Sequence, residues 1–153
     1  MGRIHIETRI NAPIEVVFDL ARDVDAHAES TQATKERIVG GRLSGLLELG
    51  DEVTFEAVHL GVRQRLTSKI IEMDRPYRFV DEMQKGAFKS LRHIHAFSEA
   101  DGVTTMTDEL VFRAPLGPLG WIAERVFLDR YLTRFLRERC EALKSMAEQA
   151  SRA

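Results

Sequence analysis

Near the start of the chain, Ile4, Ile6 and Ile10 alternate with His5, Glu7 and Arg9, the two-residue period of a strand with one buried face. Asn11-Ala12-Pro13 then supplies a capping side chain and a proline preset for a first helical turn, and Ile14, Val17, Phe18 and Ala21 recur at helical spacing. This predicts a strand followed directly by a short amphipathic helix. The polar stretch from Asp23 to Thr31 predicts a second short helix or turn, and a strand is expected from about Ala33 to Val39. From Asp51 to Arg113, strand-like runs are separated by turn signals at Leu60-Gly61, Asp74-Arg75-Pro76, Lys85-Gly86 and Asp101-Gly102. They predict five consecutive antiparallel strands.

Pro115, Gly117, Pro118 and Gly120 end that pattern, and from Leu119 to about Gln149 nothing interrupts a long helix. Trp121, Leu128, Leu132, Phe135, Leu136, Leu143 and Met146 fall on one apolar stripe of it. Val126 and Phe127 lie off the stripe, which predicts a bend there, or an apolar surface for a partner. A sheet whose buried face is covered by one long helix is an α+β architecture. With 153 residues the chain is expected to form one domain, 1–153, burying roughly two thirds of its surface.

Turn positions set which residues face each other. If Asp101-Gly102 is a two-residue hairpin turn, His95 lies opposite Asp108, and Leu91, His93 and Phe97 share a face with Met106, Leu110 and Phe112. Ser90, Arg92, Ser98, Thr105, Thr107, Glu109 and Arg113 occupy the other face, which suits solvent. Two imidazoles and a carboxylate therefore interrupt an apolar layer. Unpaired, they would cost several kcal/mol, so a His95–Asp108 hydrogen bond is expected, with His93 or water completing it. The same reasoning at Leu60-Gly61 sets Phe55 against Leu66, Ala57 against Gln64 and His59 against Val62 on the inner face, with a Glu56–Arg65 ion pair outside.

Composition narrows the function. The net charge is −2, and no basic stripe with interleaved aromatics is present, which argues against nucleic-acid binding. The alternating start lacks the apolar run of a signal peptide or membrane span, so a cytoplasmic protein without stable membrane insertion is expected. The lone Cys140 falls among apolar helix neighbours and reads as a buried, inert thiol.

The element order, with the proline-started helix Asn11-Ala12-Pro13-Ile14-Glu15-Val16-Val17-Phe18, resembles the START-like (SRPBCC) superfamily and its polyketide cyclase/dehydrase-like branch. Gly50-Asp51-Glu52-Val53-Thr54-Phe55-Glu56-Ala57, the run from Gly86-Ala87-Phe88 to His93-Ile94-His95-Ala96-Phe97, and Ala114-Pro115-Leu116-Gly117-Pro118-Leu119-Gly120 are similar to a bacterial branch of ligand-binding proteins in that superfamily. The resemblance implies a helix-grip fold. In it, a curved antiparallel sheet of seven strands grips the C-terminal helix around a cavity for a small hydrophobic ligand such as a lipid or polyketide.

The expected ligand-binding set is His93, His95, Asp108, His59, Gln64, Phe97, Met106, Leu110 and Tyr131, without cofactor or metal. Several roles fit the polar members. They orient the polar group of an apolar ligand; or Asp108 orients His95 as the acid/base of a cyclase, dehydratase or hydrolase; or His93 and His95 hold a metal; or they form a buried structural network. A regulatory interaction domain without a small ligand would instead use the apolar surface near Val126 and Phe127. His27 is placed in a loop or at a pocket mouth, Glu36 on an undetermined face, and Gly40-Gly41-Arg42-Leu43-Ser44-Gly45 in a loop that gates the cavity rather than binds phosphate.

Overall fold

The computed structural model describes residues 1–30, 36–59, 61–114 and 127–152. Strand β1 (Gly2–Ile10) leads into α1 (Ile14–Ala21) and α2 (Val24–Ser30). Strands β2 (Arg37–Gly41), β3 (Glu52–His59), β4 (Val62–Asp74), β5 (Arg78–Lys85), β6 (Ser90–Ala100) and β7 (Val103–Arg113) follow, and helix α3 (Asp129–Arg152) closes the chain. The seven strands form one sheet in the order β1-β7-β6-β5-β4-β3-β2, antiparallel throughout. With α3 packed against β1, α1 and α2, this is the α+β helix-grip architecture.

Two turns anchor the register. Asp101 and Gly102 both take positive φ, 54° and 78°, as a type I′ hairpin requires. Phe97 consequently pairs with Met106, His95 with Asp108, and Leu91 with Phe112. Gly61 has φ 77°, and Phe55 pairs with Leu66, Ala57 with Gln64 and His59 with Val62. On the outside Glu56 accepts from Arg65 at 3.0 Å, and also from Arg37 at 2.7 Å and Arg63 at 3.1 Å.

Strand β2 differs from expectation. It runs to Gly41 instead of ending at Val39, and residues 31–35, where the expected strand begins, lie outside the described residues. The extension is possible because Gly41 has no side chain: a Cβ there would sit 2.3 Å from the Glu52 carbonyl oxygen. Gly40 and Gly41 thus belong to the sheet edge, pairing with Thr54 and Val53, and only Arg42 onward forms the loop.

The inner face carries the core. Phe18 meets Phe79 and Phe97 edge-on at 5.3 and 5.2 Å, arrangements that favour aromatic pairs. From the expected stripe, Leu132, Leu136 and Leu143 are buried and Leu128, Phe135 and Met146 half-buried, and Arg139, Cys140 and Ala147 of α3 are buried beside them. Trp121, Val126 and the expected helix start at Leu119 lie outside the described residues. Phe127 stands exposed just before α3, in a short stretch of π-helical turn with Leu128. Among the described residues, no helix is long and apolar enough to cross a membrane.

Candidate functional site

Alternation along β6 turns His93 and His95 inward, beside Asp108 of β7. All three are buried. The expected His95–Asp108 contact is present and His93 joins it, but it is not the shortest contact of either His95 or Asp108. The short bond to Asp108 comes from His93, whose Nε2 donates to Oδ1 at 2.8 Å, while His95 Nδ1 lies 3.3 Å from the same oxygen. His95 instead donates from Nε2 to Asp81 Oδ2 at 2.8 Å. Two carboxylates thus flank one imidazole. Asp81 belongs to β5 and also accepts from Ser68 Oγ at 2.9 Å; Cys140 donates to Asp108 Oδ2 at 3.3 Å.

The rings stack as well. His93 lies on His95 with centroids 3.7 Å apart, and Phe79 covers the other face of His95 at 4.0 Å. Two stacked imidazoles in an apolar layer cannot both be charged at low cost. Burial disfavours the imidazolium of each, but the bonds to Asp108 and Asp81 overcome this at His95 and raise its pKa. At His93 burial prevails, helped by the charge of His95, and the pKa falls to about 4. Burial also opposes ionisation of Asp81 and Asp108, yet the two histidines hold both carboxyls below their usual range. Of the two rings, the one that favours the proton is His95, between two carboxylates, rather than His93. Burial, reinforced by Asp108, pushes the Cys140 thiol far up, consistent with an inert thiol.

A second polar group faces this one across the interior. His27 stacks on Phe55 at 4.3 Å, and its Nε2 lies 2.6 Å from Glu36 Oε1. His59 Nδ1 and the Tyr131 hydroxyl lie 2.6 Å apart. Burial lowers the pKa of His27, with Arg139 adding to the effect, and burial lowers that of His59. His27 therefore lines the pocket from α2, half-buried, as the pocket-mouth placement expects and unlike a solvated loop residue.

Between these groups the sheet and α3 enclose a pocket of about 170 Å³. For comparison, an apolar cavity of ~150 Å³ accommodates benzene. His59, Gln64, His93, His95 and Leu110 line it. Asp108 sits behind the histidines, Phe97 and Met106 lie in the core, and Tyr131 bonds to His59. Sequence reasoning passed over Asp81, Ser68 and Arg139, all of which line the pocket, and assigned no face to Glu36, which lines it too. Arg139 had a legible signal. It lies seven residues after Leu132 and four before Leu143, on the apolar stripe of α3.

Asp81, His93 and His95 each bring one potential ligand atom within 4.8 Å of the others, a spacing that could hold a metal ion. For that, His95 Nε2 would have to exchange its bond to Asp81 for the ion. Acid/base chemistry through His95 meets a similar obstacle, because both its ring nitrogens face carboxylates and it is 2% exposed. His93, with Nε2 committed to Asp108, keeps Nδ1 as an acceptor and lines the pocket.

Solved structures share this architecture. Protein TTHA0849 from Thermus thermophilus superposes with a TM-score of 0.80 at 18% identity, covering 98% of this chain and 99% of its own. A START superfamily protein from Mycobacterium smegmatis gives 0.75 at 13% identity over 98% and 99% of the two chains. The major latex-like protein 151 of Panax ginseng gives 0.71 at 14% identity over 95% and 97%. At such identities the likeness is one of fold. No curated protein matches the chain in sequence. Residues 1–148, however, match the model of the family described as polyketide cyclase / dehydrase and lipid transport, and with nearly the whole chain covered, the protein belongs to that family.

Proposed function

We propose that the protein binds a small, mostly apolar molecule in the pocket between the sheet and α3, and that the ligand's polar group meets side chains buried in the wall. One observation carries this reading: a wall whose surface is mostly apolar, with Phe55, Phe88, Leu132 and Phe135 in it, also presents polar side chains at fixed places, among them His93, His59 and Gln64. Such sites gain affinity from the apolar body and specificity from the polar few. In this reading Asp108 and Asp81 hold the imidazoles in place, Phe97 and Met106 back the wall, and Tyr131 fixes His59. Membership in a family named for polyketide cyclisation and lipid transport supports an apolar cargo.

Binding is favoured over catalysis by the burial and hydrogen bonding of His95 and Asp108. An acid/base pair of His95 and Asp108 would need one of them to reach the substrate, and both are 2% exposed with their polar atoms mutually engaged.

The pocket is tested by filling it. Ala57, a lining residue that is 5% exposed, points inward from β3, and an Ala57→Phe ring would occupy the space. Titration of the wild type with indole should move the methyl NMR signals of Leu91, Leu110, Leu132 and Leu136 saturably, and Ala57→Phe should weaken this by about tenfold or more. Shifts that are absent in the wild type, or unchanged in the variant, would sink the reading.

A further inference from the structure

Among the described residues, Arg139 is the one cation of the pocket wall without an ion-pair partner. It is 4% exposed and lines the pocket. Its Nε has no hydrogen-bond partner, and the guanidinium forms no ion pair among the described residues. None of the nearby carboxylates bonds to it: Glu36 Oε1, itself buried without a hydrogen-bond partner, lies 2.6 Å from His27 Nε2, while Asp81 accepts from His95 and Asp108, behind the wall, from His93, each at 2.8 Å. Glu36 feels the charge of Arg139 without bonding to it. Each of these three carboxylates thus has an imidazole beside it, but among the described residues the arginine has no acceptor.

A guanidinium that is buried without an acceptor is costly. Its place at the centre of the apolar stripe of α3, where a leucine would pack, adds to the cost. Such a group makes sense where a ligand completes it. A planar fork of donors matches the two oxygens of a carboxylate better than a single hydroxyl or carbonyl. We propose that Arg139 is the binding group for a carboxylate carried on the ligand's apolar body. The assignment deepens the pocket reading above and rests on it. The ligand class becomes a small apolar acid: the chain or ring lies against Phe55 and Phe135, and the acid end turns to α3.

Hexanoate and 1-hexanol, which share one apolar body, provide the test by methyl NMR titration. Wild-type protein should bind hexanoate at least about tenfold more tightly than 1-hexanol, the range expected of a hydrogen bond to a charged group. Arg139→Gln should erase that preference while leaving 1-hexanol affinity within about threefold. Without ligand, Arg139→Met should raise Tm by about 3 °C or more, since it replaces an unpaired guanidinium with a hydrophobic side chain of similar length. Equal binding of acid and alcohol, or a preference that persists in Arg139→Gln, overturns the assignment and leaves the pocket reading standing. Failure of both compounds to bind overturns the assignment, and overturns the pocket reading too if indole also fails. A fall in Tm for Arg139→Met shows that the fold itself uses Arg139, and also overturns the assignment.

Discussion

Replacing Asp108 with alanine is expected to destabilise the protein by about 3 kcal/mol, the low end of the range for removing one partner of a buried charged pair. The carboxylate is 2% exposed and receives hydrogen bonds from His93 and Cys140, with His95 Nδ1 at 3.3 Å. Alanine would strand the His93 donor in an apolar layer and leave His95 with Asp81 alone. Asparagine keeps an oxygen for His93 but loses the charge opposite His95, so Asp108→Asn should fall between wild type and alanine, at about 1–2 kcal/mol. Urea unfolding monitored by far-ultraviolet circular dichroism measures both. An Asp108→Ala protein within about 0.5 kcal/mol of wild type would mean that the network contributes little to the fold.

Stability should also pass through a maximum near pH 6.5, because the stacked histidines shift in opposite directions. His93 has its folded-state pKa lowered from 6.5 to about 4. Its contribution is fully present above pH 6.5 and is lost as pH falls toward 4, because the unfolded chain takes up the proton first. The shift corresponds to about 3 kcal/mol. His27 and His59, also lowered by burial, act with the same sign. His95 is raised, so its contribution is present below 6.5 and is lost as pH rises through its folded-state value. Asp81 and Asp108, both lowered, lose theirs only as pH drops below the ordinary carboxyl value of 3.8. Urea midpoints across this range should trace a dome with its steep side toward acid. His93→Gln should flatten the limb between pH 6.5 and 4 without removing it, since His27 and His59 remain. A His93→Gln profile parallel to wild type would contradict the assignment of a buried, neutral His93.

What the sequence made legible depended on local geometry. The Asp101-Gly102 turn adopts the positive-φ pair that its residues favour, so the register of β6 on β7 followed from simple counting and brought His93, His95 and Asp108 to one face. Asp81 escaped the same method for a physical reason. Strand β5 pairs with β6 in regular register and sets Asp81 opposite His93, but the connection between them is wider than a two-residue turn at Lys85-Gly86, and a count from that turn would set His93 against Arg78 instead. The shorter bond of His95, to Asp81, was therefore invisible, and only its contact with Asp108 could be expected. His27 looked like a loop residue because nothing local announces its stack on Phe55, which comes from a strand far along the chain. Arg139 is a different case: the stripe was read for its apolar members, and the charged residue at the same spacing was passed over. A cation on the buried face of an amphipathic helix is itself a signal.

Whether the pocket holds a ligand is tested most directly by native mass spectrometry of the protein purified from its own host. The expected result is a population heavier than the 17.4 kDa chain by the mass of one small molecule, an organic acid once extracted, and absent from Ala57→Phe. A wild-type protein found only at the mass of the bare chain, with an interior that also refuses indole and hexanoate, would contradict the pocket reading.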